Sequence, residues 1–271
     1  MQLSVQHTLD PSPVTLHYEV MGAGEPLLLL AGMASDIASW APIAAQLSAD
    51  YQLILLDNRC AGRTEPSPCM INRELMVADC IALLDHLQIS RTHILGHSLG
   101  GLIGLQLAAQ HPQYAHQVIA LACGTKVSNA RYQLFNELAT LRENAAVSTE
   151  QWFGLFFHWL FNETFFADQS AIATAATMAA RHPYLQSPEA FRQQVEAMQS
   201  FTDAVDTSAL HSQVLVLGGS DDLLNPIAAL RDTWQSIDDT QWVEISSAGH
   251  ALHWDQPEAV VNAVTRFLKK G

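Results

Sequence analysis

Short, continuously apolar runs, each ending on a glycine or a small polar residue, recur through the first half of the chain. Pro26 to Ala31 stops at Gly32, Gln52 to Leu56 at Asp57, His93 to Leu95 at Gly96, and Val118 to Ala122 at Cys123-Gly124. Runs without polar alternation suit strands buried on both faces of a sheet. Helical patterns fill the gaps. Arg73 to Leu87 carries apolar residues on one side, and the small, apolar stretch Leu99 to Gln110 is closed by Pro112. This alternation predicts an α/β fold, a mostly parallel central sheet with helices on both faces. Residues 2–9 and 14–20 read as an N-terminal hairpin turning through Asp10-Pro11-Ser12-Pro13.

The rhythm breaks near Lys126. From there to about Asp206 the pattern is helical, and 8 of the chain's 21 aromatic residues fall between Trp152 and Phe166. It returns with Gln213 to Leu217 and Gln241 to Ile245. A last helix is expected from Pro257 to Lys269, with Asp255 and Glu258 placed for a capping box. The expected organisation is a core of residues 1–125 and 207–271 interrupted by a helical cap, 126–206.

The 271 residues suffice for a hydrophobic core without disulfide or metal staples. With 13 Lys+Arg against 27 Asp+Glu, the net charge of −14 argues against nucleic acid and anionic lipid as partners. The longest strongly apolar run, Leu27 to Ala31, is too short to span a bilayer. Met1 to His7 shows neither the basic nor the apolar part of an export signal, and Cys60, Cys69, Cys80 and Cys123 lack CxxC spacing. The expectation is a cytoplasmic protein with reduced thiols. His250 and His253 lie three apart, but no third ligand sits at a recognisable spacing, so neither metal nor cofactor is expected.

The sharpest chemical signal is Gly96-His97-Ser98-Leu99-Gly100-Gly101. It fits G-x-S-x-G between an expected strand and an expected helix, the setting of a nucleophile elbow. Such a turn projects the serine hydroxyl at the sheet edge and offers the Leu99 amide to a developing oxyanion. A serine hydroxyl needs a base. His250, in the loop after the last expected strand, is the candidate. Asp222, after Val214 to Gly219, is the candidate carboxylate to orient that imidazole, preferred to Asp221.

Taken together, these motifs resemble the α/β-hydrolase superfamily, in its cap-bearing serine branch. The likeness rests on Leu30-Ala31-Gly32-Met33, Asp57-Asn58-Arg59-Cys60-Ala61-Gly62-Arg63-Thr64, the elbow, Gly219 to Pro226, and Gly249 to Glu258. The order Ser98, Asp222, His250 is that of the superfamily. The resemblance implies an aspartate four residues before Pro226, which is Asp222. It also implies a second oxyanion amide at Met33. Two departures stand out: Ala31 replaces a usual histidine, and Cys60 a usual glycine. His97 and His253 are read as neighbours of the site, and Cys60 as structural.

The implied activity is that of a serine hydrolase cleaving a carboxylic ester through an acyl-enzyme, within a group that includes 3-oxoadipate enol-lactonases and small carboxylesterases. Enol-lactone or carbon–carbon bond hydrolysis is the alternative. A non-catalytic receptor for small ligands is an alternative of another class. A serine at the elbow argues against dehalogenase and epoxide-hydrolase chemistry, which use an aspartate there in this superfamily. The expected partner is a small molecule with an apolar acyl or alcohol group, facing Trp152, Phe156, Phe157 and Trp159. Arg131, Arg142 and Arg181 read as solvated, although any of them could bind a substrate carboxylate. The oligomeric state is left open.

Overall fold

The computed structural model describes residues 1–235, 237 and 239–269, so positions 236, 238, 270 and 271 of the expected core segment lie outside the described residues. Eight strands form one sheet: β1 Gln2–His7, β2 Asp10–Met21, β3 Glu25–Leu30, β4 Tyr51–Leu56, β5 Thr92–His97, β6 Ala115–Leu121, β7 Gln213–Gly219 and β8 Thr240–Ile245. Their order across the sheet is β1-β2-β4-β3-β5-β6-β7-β8. Only β1/β2 and β2/β4 pair antiparallel. From β4 onward every pairing is parallel.

The apolar runs are explained by burial on two sides. Leu28, Leu30, Ile54, Leu56, Ile94, Val118 and Val216 enter one core with α2 (Arg73–His86) and α3 (Leu99–Gln110). Their neighbours Leu27, Leu29, Leu53, Leu55, Leu95, Ile119 and Leu217 enter a second core with α1 (Ala41–Leu47) on the opposite face. Successive residues of a strand point to opposite faces, so both sets must be apolar.

Residues 126–206 hold helices and no strand: α4 Asn129–Glu143, α5 Thr149–Phe157, α6 Gln169–Ala180 and α7 Pro188–Ala197, with short 3-10 turns between. Their starts are written locally. Ser128, Ser148 and Ser187 each accept a hydrogen bond from a first-turn amide, and Ser148 with Gln151 completes a capping box. Trp152 stacks on Phe156, with ring centroids 4.8 Å apart, and meets Phe191 of α7 edge-on at 5.2 Å. The aromatic run therefore first serves to join these helices to one another. The chain then returns through α8 (Ile227–Trp234), α9 (Leu252–Asp255) and α10 (Pro257–Leu268), the last completing the second core. No described helix is long and apolar enough to cross a membrane.

Two local expectations are corrected. The first hairpin turns at Thr8-Leu9, and Asp10 to Pro13 already belong to β2. The β1/β2 register slips between Val5 and His7, opposite Pro11 and Pro13, where a bulge tolerates residues without an amide proton. Asp10 is buried there and accepts a hydrogen bond from Arg59 Nη1 at 3.2 Å. The second correction concerns Asp255, which does not cap α10; that helix has Gln256 at its N-cap without a side-chain bond. Asp255 instead holds the loop that carries His250, as described next.

Candidate active site

The elbow at Ser98 exists because three glycines leave no room for a side chain. A Cβ on Gly100 would lie 1.9 Å from the Leu30 carbonyl oxygen, and one on Gly96 2.3 Å from that of Gly100. The strand can then turn directly into α3. Ser98 sits at the apex with φ 51° and ψ −114°, a strained conformation for a non-glycine residue, and its amide donates to Leu121 O at 2.9 Å. The hydroxyl is thereby raised above the ends of β5 and β6.

His250 follows β8 in a loop pinned from several sides. The Gly249 and Asn162 amides both donate to Asp255 Oδ2, at 2.7 and 3.2 Å. The Ala251 amide donates to Leu160 O at 2.8 Å, and Asn162 Nδ2 donates to Ser247 O. Residues 160–162 of the helical segment thus lie directly against the histidine loop. A Cβ on Gly249 would come within 2.8 Å of Leu160 O, so only glycine permits this approach.

Asp222 is brought to His250 by a second close approach. A Cβ on Gly219, at the end of β7, would lie 2.3 Å from the carbonyl oxygens of Ala248 and Gly249. The Asp222 carboxylate is buried and accepts hydrogen bonds on both oxygens. Oδ1 accepts from the Leu224 and Asn225 amides, each at 2.8 Å, and Oδ2 accepts from His250 Nδ1–H at 2.9 Å. Asp221, by contrast, is exposed and bonds Ser220. With Nδ1 committed to Asp222, Nε2 is the imidazole nitrogen left to meet Ser98. Among the described residues no hydrogen bond links Ser98 Oγ to that nitrogen, and catalytic pairs of this kind often tighten only around substrate. Ser98 and His250 nevertheless line the same two cavities.

Met33 and Leu99 both line the first cavity. The Leu99 amide is the first of α3 and has no partner inside its helix. The Met33 amide donates none of the described hydrogen bonds. Where the resemblance leads one to expect a histidine, Ala31 has its carbonyl held by Asn58 Nδ2 at 3.1 Å. Gln194 of α7, fully buried, donates to Arg59 O at 3.0 Å and accepts from the Ala34 amide at 3.2 Å. An amide side chain from the helical segment therefore ties the Met33 loop to the loop after β4. The sequence offered no signal for Gln194, since an isolated glutamine in a helix carries no motif. Removing it with Gln194→Ala is expected to lower kcat about tenfold by loosening the Met33 amide, with little change in KM; steady-state kinetics decides this.

The remaining candidates separate clearly. His97 Nε2–H donates to His250 O at 3.0 Å, and His253 packs its ring against Trp40 at 5.1 Å, so both are neighbours of the site. Burial, and next to it the other histidines, holds His97 well below its ordinary value, and burial pulls His253 down to about 3. Cys60 stands at φ 61°, the left-handed region where the usual glycine costs nothing, and its thiol is buried against Cys69. All four cysteines are free and buried. Of the four aromatic residues expected at the substrate, Phe156 lines the second cavity. Trp152, Phe157 and Trp159 line neither. Trp152 lies one turn earlier on α5, where it bonds Leu138 O and lies under the Arg142 guanidinium. Arg142 is accordingly not solvated. Arg131 is not either: it is half-buried and lines the first cavity, and burial lowers its proton affinity. Arg181 is exposed as expected.

The buried histidines make a stability prediction. The folded state binds their protons only at low pH, whereas the unfolded chain binds them from about pH 6.5 downward. The unfolded state therefore gains protons first, and stability is lost as pH falls from about 6.5 towards 3. Each such histidine contributes up to about 1.4 kcal/mol per pH unit in that window. Urea denaturation at pH 7 and pH 5 should show His253→Leu with the shallower pH dependence.

Known proteins share this fold. The family model described as "alpha/beta hydrolase fold" matches residues 25–257. BpoC of Mycobacterium tuberculosis, a protein provisionally named as a non-heme bromoperoxidase, is 26% identical over 259 residues, spanning 94% of this chain and 98% of that one. A thermophilic esterase from Thermogutta terrifontis, solved with malate bound, superposes with a TM-score of 0.85 at 23% identity, covering 100% of this chain and 98% of the esterase. The enol-lactonase from Burkholderia xenovorans LB400 gives a TM-score of 0.82 at 22% identity over 94% of this chain and 97% of that enzyme. With a family model covering most of its length and a sheet of this topology, the chain is an enzyme of the alpha/beta hydrolase fold family.

Proposed function

We propose that the protein is a serine hydrolase that cleaves a carboxylic ester through an acyl-enzyme. The observation that carries this reading is the pairing of a buried Asp222–His250 hydrogen bond of 2.9 Å with an elbow serine on the same cavities as His250. His250 Nε2 takes the Ser98 proton as Oγ attacks the ester carbonyl. The Leu99 and Met33 amides donate to the oxyanion. Asp222 fixes the imidazole tautomer and stabilises the imidazolium. His250 then protonates the leaving alcohol, and water, deprotonated by the same nitrogen, releases the acid and restores Ser98. Residues 126–206 act as the cap over this site, contributing Phe135, Phe156 and Met198 to the cavity walls.

The test is covalent capture. A fluorophosphonate should add one phosphonyl group to the intact protein, mapped to Ser98 by peptide mass spectrometry. His250→Ala should slow that addition by orders of magnitude. Turnover of p-nitrophenyl esters of increasing acyl length should accompany labelling and size the pocket. Labelling without ester turnover would favour the lactone or carbon–carbon reading, which uses the same serine. A folded protein that is neither labelled nor active would favour a ligand-binding role.

A further inference from the structure

We propose that the cavity beside Ser98 on the Lys126–Arg131 side binds a carboxylate, so that the substrate is a half-ester whose acyl or alcohol portion ends in a free acid. The inference rests on the ester-hydrolase reading above and narrows it. Lys126 and Arg131 line the same cavity as Ser98 and His250. The chain has 13 Lys+Arg against 27 Asp+Glu, so acids to pair with are abundant. Arg59, Arg63, Arg73, Arg192, Arg231 and Lys269 all have a carboxylate within 4.0 Å. Among the described residues, none lies that close to Lys126 or Arg131, nor to Arg91, Arg142, Arg181 or Arg266, but of these six only Lys126 and Arg131 line the cavity.

The guanidinium is also held in place. Arg131 Nε donates to Ser128 Oγ at 3.2 Å, and Nη2 donates to Lys126 O at 3.0 Å. Nη1 makes none of the described hydrogen bonds. One edge of the group is thus fixed by its own helix start while a donor remains for a ligand. Asp222 acts on this guanidinium only through its charge at a distance: the two form no ion pair within 4.0 Å, and the Asp222 carboxylate bonds His250 and the Leu224 and Asn225 amides. Elsewhere the wall is apolar, with Val127, Phe135 and Met198. A charge-assisted bond gains strength in such surroundings. The second cavity, with Phe156, Phe161 and Trp254, has no cationic arginine or lysine and suits the apolar half of the same substrate.

The experiment compares monomethyl adipate with dimethyl adipate, and 3-acetoxypropanoate with its methyl ester, following acid release by NMR. The first pair places the carboxylate on the acyl side and the second on the alcohol side. The expected result is a preference for the anionic member of at least one pair by roughly tenfold or more in kcat/KM, expressed mainly in KM. Arg131→Gln should bring that ratio towards one, Arg131→Lys should restore part of it, and Lys126→Met should reduce it independently. Equal rates for anionic and neutral esters in wild type would overturn the proposal. So would an Arg131→Gln variant, folded by circular dichroism, that loses both esters in equal proportion. A separate arm needs no turnover: calorimetric titration of adipate into the Ser98→Ala protein, with and without Arg131→Gln. If no ester is cleaved, the ester reading fails, yet adipate binding that is lost with Arg131 still supports the carboxylate site. Absence of adipate binding together with absence of turnover overturns both.

Discussion

Ser98→Ala is expected to lower kcat on any ester the protein hydrolyses by about 10⁴- to 10⁶-fold, with KM changed little. The size follows from geometry. Ser98 is the only hydroxyl raised on the elbow between β5 and α3, and it shares both cavities with His250. Loss of Oγ removes the atom proposed to be acylated, and no rearrangement replaces it. The Leu99 and Met33 amides proposed to hold the oxyanion remain, as do the cavity walls, so a small residual rate over water is expected. Alanine at this φ of 51° keeps the strain that serine bears, so the fold should hold. Fluorophosphonate labelling and ester turnover must fall together. A variant that keeps more than a few per cent of wild-type kcat would remove Ser98 from the mechanism.

Asp79→Ala should destabilise the protein by about 3–5 kcal/mol. Arg59 is almost completely buried, and its guanidinium is gripped by Asp79 through Nε at 2.6 Å and Nη2 at 3.1 Å. Asp10 and the Met70 carbonyl take Nη1 at 3.2 and 3.0 Å. Removing Asp79 leaves a buried charge without its bidentate partner, and His7 loses its bond to the same carboxylate. For a chain of this length the midpoint of thermal unfolding should fall by roughly 10 °C. Calorimetry of the variant decides this. A companion change, Asp79→Asn, keeps one acceptor and should lose less. The loop after β4 carries both Asn58 and Arg59, so activity should also become more heat-sensitive in either variant. A shift below about 2 °C for Asp79→Ala would show that water replaces the carboxylate.

Much of the candidate site is legible in the sequence. The elbow is local: its glycines and serine are consecutive, and the steric reason for each acts within a few residues of chain and the neighbouring strand end. Asp222 and His250 sit at strand ends in a recognisable order, and the structure joins them at 2.9 Å. The supports of that site were not legible. Asp255 looked like a helix cap because it stands at capping-box spacing, yet its carboxylate takes amides from Gly249 and from Asn162, 93 residues away. Gln194 lies 160 residues from the Ala34 amide that it accepts. Arg131 looked like an ordinary surface arginine until the helices enclosed it beside Ser98.

By itself the sequence determined the layered sheet, the helical interruption and the chemical identity of the candidate nucleophile, base and acid. Those rest on periodicity, glycine sterics and spacing, which a linear chain records. Tertiary structure alone decided which aromatic side chain faces the cavity, which polar groups brace the loops, and which cations are left without a carboxylate. Each of these depends on contacts between residues far apart in the chain. Burial sets their energies, and burial is a property of the packed whole.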